Sequence, residues 1–125
     1  MATIKTFRDL KVWAKAHRLV LEIYQLSRSF PSFEVYGLGS QMRRAVVSVA
    51  SNIVEGFARR SVRDSMHFYN IAHGSLEEVK YQLLIAVDLQ YSSQELYKKT
   101  FALAEEVSKL LRSWRDSQQR NSYST

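Results

Sequence analysis

An all-α fold, built as an antiparallel up-down four-helix bundle, is what this chain predicts, and three observations carry the expectation. Apolar residues recur at alternating spacings of three and four through most of the chain, the period of a helix with one buried face. Punctuation is sparse: Pro31 is the sole proline, and the four glycines are Gly37, Gly39, Gly56 and Gly74, too few breaks for many short strands. The 125 residues, 46% of them hydrophobic, are one domain's worth with enough apolar surface for a core.

The first helix is expected from near Phe7 to just before FPSFE, because a residue preceding proline resists the helical region. It carries two apolar stripes. One is Leu10, Ala14, His17, Leu21 and Tyr24; the other is Val12, Ala16, Leu19, Ile23 and Leu26. Together they cover roughly 220° of the helix, where one core needs little more than about 100°. The excess predicts a second burial surface, hence a homo-oligomer. His17, on an apolar face, is expected to be a hydrogen-bonded core histidine.

The second helix is expected over Ser40 to Ala58, with Met42, Val46, Val49 and Ile53 as its core stripe. Ala45, Ser48, Ala50 and Ser51 are small enough to admit a close neighbour, and a close helix contact would account for Gly56. Ser61 followed by Asp64 reads as a capping box opening the third helix. That helix carries Phe68, Ala72, Leu76, Val79, Leu83 and Val87, with Gly74 expected where another backbone approaches. Ser92 and Glu95 suggest the next cap. Helix four follows with Leu96, Thr100, Leu103, Val107, Leu110 and Trp114. The bundle is expected over residues 1–115. The polar stretch DSQQRNSYST, residues 116–125, reads as a disordered tail.

Composition narrows the function. Without cysteine there is no disulfide framework, thiol nucleophile or thiolate metal site. No apolar run reaches a membrane span and MATIKTFRDLK has no signal-peptide core, so a cytoplasmic protein away from membranes is expected. The net charge of +6 favours polyanionic partners such as RNA.

Arg44, Ser48, Asn52 and Glu55 share one helix face, and Ser75, Glu78 and Gln82 share another. If the two faces meet, the expected result is a hydrogen-bonded polar seam that sets helix register, since a buried carboxylate is costly unless paired. Neither a metal site nor a catalytic centre is expected there. No Glu-x-x-His motif accompanies the glutamates, and His73 with Glu77 makes only two ligands. No nucleophile elbow, phosphate loop or dinucleotide fingerprint occurs, so neither enzyme activity nor a cofactor is expected.

The basic residues are the candidates for binding. Arg8, Lys11, Lys15 and Arg18 are expected along an exposed ridge of the first helix, while Arg59, Arg60 and Arg63 bracket the helix 2–3 connection. Such clusters suit phosphate contact, without base readout by any known strand, finger or helix-turn-helix motif. The alternative is a protein-interaction scaffold whose charge keeps it soluble. A third possibility is a metal protein or enzyme built on Glu55 and Glu78.

YGLGSQMRRAVVSVASNIVEGFARRS, followed by HFYNIAHGSLEEVKYQLLIA, resembles the bacterial four-helix bundle family encoded in intervening sequences of 23S ribosomal RNA genes. The most specific residues are Gln41, Arg44, Ser48, Asn52, Glu55 and Gly56, then Gly74, Ser75, Glu78 and Gln82; FRDLKVW matches the family's opening. The chain departs at Lys80 and Tyr81, where the family carries an acidic residue and then a small polar one. The resemblance implies a homo-oligomer, a ring of five. It extends to the accessory bundle proteins of diversity-generating retroelements, which work with RNA and a reverse transcriptase. It brings no catalytic residues.

Overall fold

The computed structural model describes residues 3–124. Among them are four α-helices, two 3₁₀ turns and no strand: α1 (Lys11–Ser27), α2 (Leu38–Ala58), α3 (Val62–Asp88) and α4 (Gln94–Ser124). The helices pack as a four-helix bundle in which α1 and α3 each touch both α2 and α4.

The expected first helix begins later than its apolar spacing suggests. Phe7–Asp9 form a separate 3₁₀ turn closed by a capping box between Thr6 and Asp9. Leu10 then takes an extended conformation (ψ 123°) that drives its side chain into the core. Only the second apolar stripe of α1 is buried: Val12, Ala16, Leu19, Ile23 and Leu26. Of the other stripe, Leu21 and Tyr24 remain 58% and 40% exposed. His17 is no core histidine; it is exposed and stacks on Trp13 with ring centroids 5.0 Å apart.

On α2 the stripe Met42, Val46, Val49 and Ile53 is fully buried. Gly56 is held by packing, since a Cβ there would collide with the Tyr69 ring of α3. The chain turns tightly between these helices. Ser65 Oγ donates to the Gly56 carbonyl at 2.7 Å, and Ser61 Oγ accepts the Asp64 N–H at 3.1 Å, so each helix end has one of its free backbone groups met by a serine. Along α3, Ala72, Leu76, Val79, Leu83 and Val87 are buried, and Tyr69 replaces Phe68 at the head of the stripe. Gly74 marks no close backbone: a Cβ there would meet nothing within 4 Å.

The cap of α4 lies one residue later than expected. Ser93 Oγ accepts the Leu96 N–H at 3.1 Å. Ser92 is still closing α3, because the Tyr91 and Ser92 N–H groups donate to the Ala86 carbonyl at 2.8 and 3.3 Å. Gln90 makes the turn with φ 64°, a left-handed conformation that costs a non-glycine residue about 1–2 kcal/mol. The stretch read as a disordered tail continues α4 as far as Ser124; Thr125 lies outside the described residues. Nothing there breaks a helix, and Ser117 and Gln118 are half-buried, so the helix runs on past its apolar stripe.

Two side chains tie the connections together. Glu34, between α1 and α2, accepts the Leu38 N–H at 3.1 Å and the Tyr91 hydroxyl at 2.9 Å. Arg43 donates to Ser27 Oγ at 3.3 Å and to the Val35 carbonyl at 3.0 Å. No helix among the described residues is long and apolar enough to cross a membrane.

Candidate functional site

The two polar faces meet, but as a smaller seam than the spacing implied. Ser48 Oγ and Ser75 Oγ lie 2.8 Å apart, joining α2 to α3. Asn52 Nδ2 donates to the Ser48 carbonyl at 2.8 Å and to Ser48 Oγ at 3.0 Å. Gln82 is buried and donates to Glu78 at 3.2 Å. Glu55 is outside the seam: it is exposed and pairs with Arg59 one turn on. Neither Glu55 nor Glu78 is a buried carboxylate, which removes the electrostatic need for the network first expected around them.

Arg44 is exposed. With Gln41, Ala45, Ser48, Ser75 and Glu78 it lines a shallow groove of about 310 Å³. All of these except Ala45 carry the family resemblance. Lys80, where the chain departs from the family pattern, bridges Glu77 and Glu105 at 3.0 Å each and so clamps α3 to α4.

The basic ridge of α1 is interrupted. Arg8 belongs to the 3₁₀ turn rather than to the helix. Lys15 reaches Glu106 of α4 at 3.3 Å and Arg18 pairs with Glu22 at 3.5 Å. Exposed ion pairs of this kind are weak, yet they compensate charge locally. Lys11 is exposed and forms no ion pair among the described residues.

The α2–α3 connection is different. Arg59 is extended at the end of α2, pairs with Glu55 and lies over the Phe68 ring at 4.5 Å from its centroid. Arg60 and Arg63 beside it are exposed and have no ion pair among the described residues. The 3₁₀ turn carrying Arg8 packs against both α1 and α2.

Two features go beyond the sequence reading, in which His73 entered only as a two-ligand pair with Glu77. His73 of α3 faces Arg115 and Arg112 of α4, together with Glu77 and Lys80 of its own helix. Burial, then Arg115, holds its pKa below the usual histidine value; Arg112 and Lys80 add to the depression, while Glu77 opposes it. Its Nδ1 is buried without a hydrogen-bond partner. The second is a cleft between the start of α1 and the last third of α4, floored by Leu10, Val12, Leu110 and Trp114. Its only trace in the sequence is that Ser113 and Ser117 flank Trp114, where a closed core would carry apolar residues. Among the described residues, no three His, Asp or Glu side chains come together to hold a metal.

The model of the 23S rRNA-intervening sequence protein family matches residues 8–113, and the chain belongs to that family. A crystal structure of a protein of unknown function from the S23 ribosomal protein family of Bacteroides thetaiotaomicron superposes with a TM-score of 0.78 at 24% identity, covering 84% of this chain and 95% of that one. It shares the fold. No curated protein matches the chain.

Proposed function

We propose that this member of the 23S rRNA-intervening sequence protein family is a non-enzymatic, cytoplasmic homo-oligomer that binds structured RNA through phosphate contacts. The observation that carries the reading is the pair Arg60 and Arg63, exposed and without ion pairs among the described residues, in a chain of net charge +6. The contacts of Ser48 with Ser75 and of Gly56 with Tyr69 run in opposite senses along α2 and α3. Lys80 with Glu105 and His73 with Arg112 do the same along α3 and α4. They support an up-down antiparallel bundle, in which Arg8 and Lys11 join Arg59, Arg60 and Arg63 at one end.

Oligomerisation is supported by Leu21 and Tyr24 of α1 and by Val47 of α2, the last 39% exposed. Such a patch favours a covering partner. Five subunits is the number the family resemblance implies. A ring would repeat each basic end around an axis, so that modest single contacts sum by multivalency. Lys15, Arg18 and Arg59, already paired within the chain, are secondary contacts in this reading.

A salt titration of binding to a structured RNA tests it. Arg60→Gln with Arg63→Gln should weaken binding and flatten the log–log salt slope by about 0.7–0.9 for each phosphate no longer neutralised. Unchanged affinity and slope would remove the α2–α3 connection from the proposal. Absence of salt-dependent binding in the parent protein would favour a protein-interaction scaffold, a reading supported by Phe33 and Tyr36, which are 75% and 95% exposed.

A further inference from the structure

The cleft between α1 and α4 has a lining that phosphate contact alone does not explain. It encloses about 380 Å³, within the range of small-ligand pockets. Trp114 supplies an aromatic wall: its indole nitrogen is buried, beside the Tyr69 hydroxyl, which leaves ring carbons facing the opening. Two hydroxyls sit on the α4 side. Ser117 Oγ donates to the Trp114 carbonyl at 2.8 Å and keeps its lone pairs for an incoming donor; Ser113 is exposed and free to donate or accept.

The lining carries one cation and one acid, Lys11 and Asp9. Lys109 and Arg120, both exposed, stand four residues before and seven after Ser113 on the same helix face. Asp116 is the exposed acid on that face. The other carboxylate, Asp9, is already committed to the backbone N–H groups of Lys5 and Thr6 at 2.8 and 3.0 Å. An apolar peptide side chain would use the floor and leave the cations without a role. A nucleotide uses both, stacking its base on an aromatic ring while its phosphates meet the rim.

Resting on the RNA-binding reading above, we propose that this cleft receives one unpaired nucleobase of the bound RNA. The base lies against Trp114, its polar edge meets the Ser113 and Ser117 hydroxyls, and the flanking phosphates meet Lys11, Lys109 and Arg120. Trp114 would then be the residue that separates single-stranded or bulged RNA from continuous duplex.

The test is carried out in a Trp13→Phe background, so that Trp114 is the sole tryptophan; Trp13 lies outside the cleft. The probes are a short single-stranded RNA and the same backbone with abasic positions. The base-bearing strand should quench Trp114 fluorescence and bind about tenfold more tightly than the abasic one. Ser113→Phe, which fills the cleft from its exposed wall, should erase that difference. Equal, salt-dependent binding of both strands would overturn the base pocket while leaving the phosphate reading intact. No binding of either strand or of structured RNA at low salt would overturn both. If Ser113→Phe alters only the oligomeric state, the cleft is a protein contact and the base reading fails. Should that variant fold poorly, the comparison of the two strands decides alone.

Discussion

At the end of the bundle where α1 passes to α2, Glu34 and Arg43 are engaged by the protein itself. Glu34 holds both the first turn of α2 and the Tyr91 hydroxyl, and Arg43 holds Ser27 and the Val35 carbonyl. At the other end of α2, some 30 Å away for a helix rising 1.5 Å per residue, the backbone is capped by two serines. Arg60 and Arg63 there have no internal partner among the described residues. An arginine that closes a connection is architecture, whereas an arginine left over after serines have satisfied the turn is available to a ligand.

Gly56→Val separates the two ends most clearly. If the basic end is close-packed beneath its free charges, the added side chain must displace the Tyr69 ring, and urea unfolding should show a loss of about 3 kcal/mol. Little or no loss would mean that this end is loose, and its free arginines would then say nothing about function. Glu34→Ala probes the opposite end. Removing the carboxylate that caps Leu38 should cost about 1–2 kcal/mol and leave the proposed RNA binding untouched. Ser48→Ala, midway between the ends, should cost about 1 kcal/mol by breaking the hydrogen bond with Ser75. Gly74→Ala, with empty space around the new methyl, should stabilise α3 by about 0.5–1 kcal/mol in the same assay.

The smallest effect is one of pH. Because His73 is held below its ordinary value of 6.5, the folded protein binds fewer protons there than the unfolded chain. Its contribution is complete above about pH 6.5 and is lost as pH falls through the lower folded-state value. His73→Gln should therefore lessen the acid-induced fall in thermal midpoint within that window. An identical pH profile in the variant would show that neither burial nor the neighbouring arginines hold His73 below its ordinary value.

Much of the fold was legible because periodicity reports burial. The stripes of α2 and α3 from Met42 to Ile53 and from Ala72 to Val87, the cap at Ser61 and the close approach at Gly56 all follow from local rules about which residue types suit which positions. The same rules misjudged Gly74, Ser92 and the run of residues 116–124, where nothing local distinguishes a packing glycine from an exposed one or a fraying tail from a continuing helix. The candidate site was legible in part. The arginines of the α2–α3 connection could be named from their spacing, and the pair of Arg59 with Glu55 is a local one, but whether other basic residues are paired depends on acids far away in sequence. Lys15 with Glu106 is the clearest case.

The order of residues is enough to specify a set of amphipathic helices, each with one buried stripe, and a surplus apolar stripe on α1. That information is carried by neighbours three and four apart, which a helix brings together wherever it sits. It is the packing of whole helices that sends Leu10 out of α1 to fill the core, joins Lys15 to Glu106, and opens a cleft beside Leu10, Leu110 and Trp114. Each of these depends on which surfaces of distant helices meet, and the free energy of such contacts has no counterpart in any local spacing.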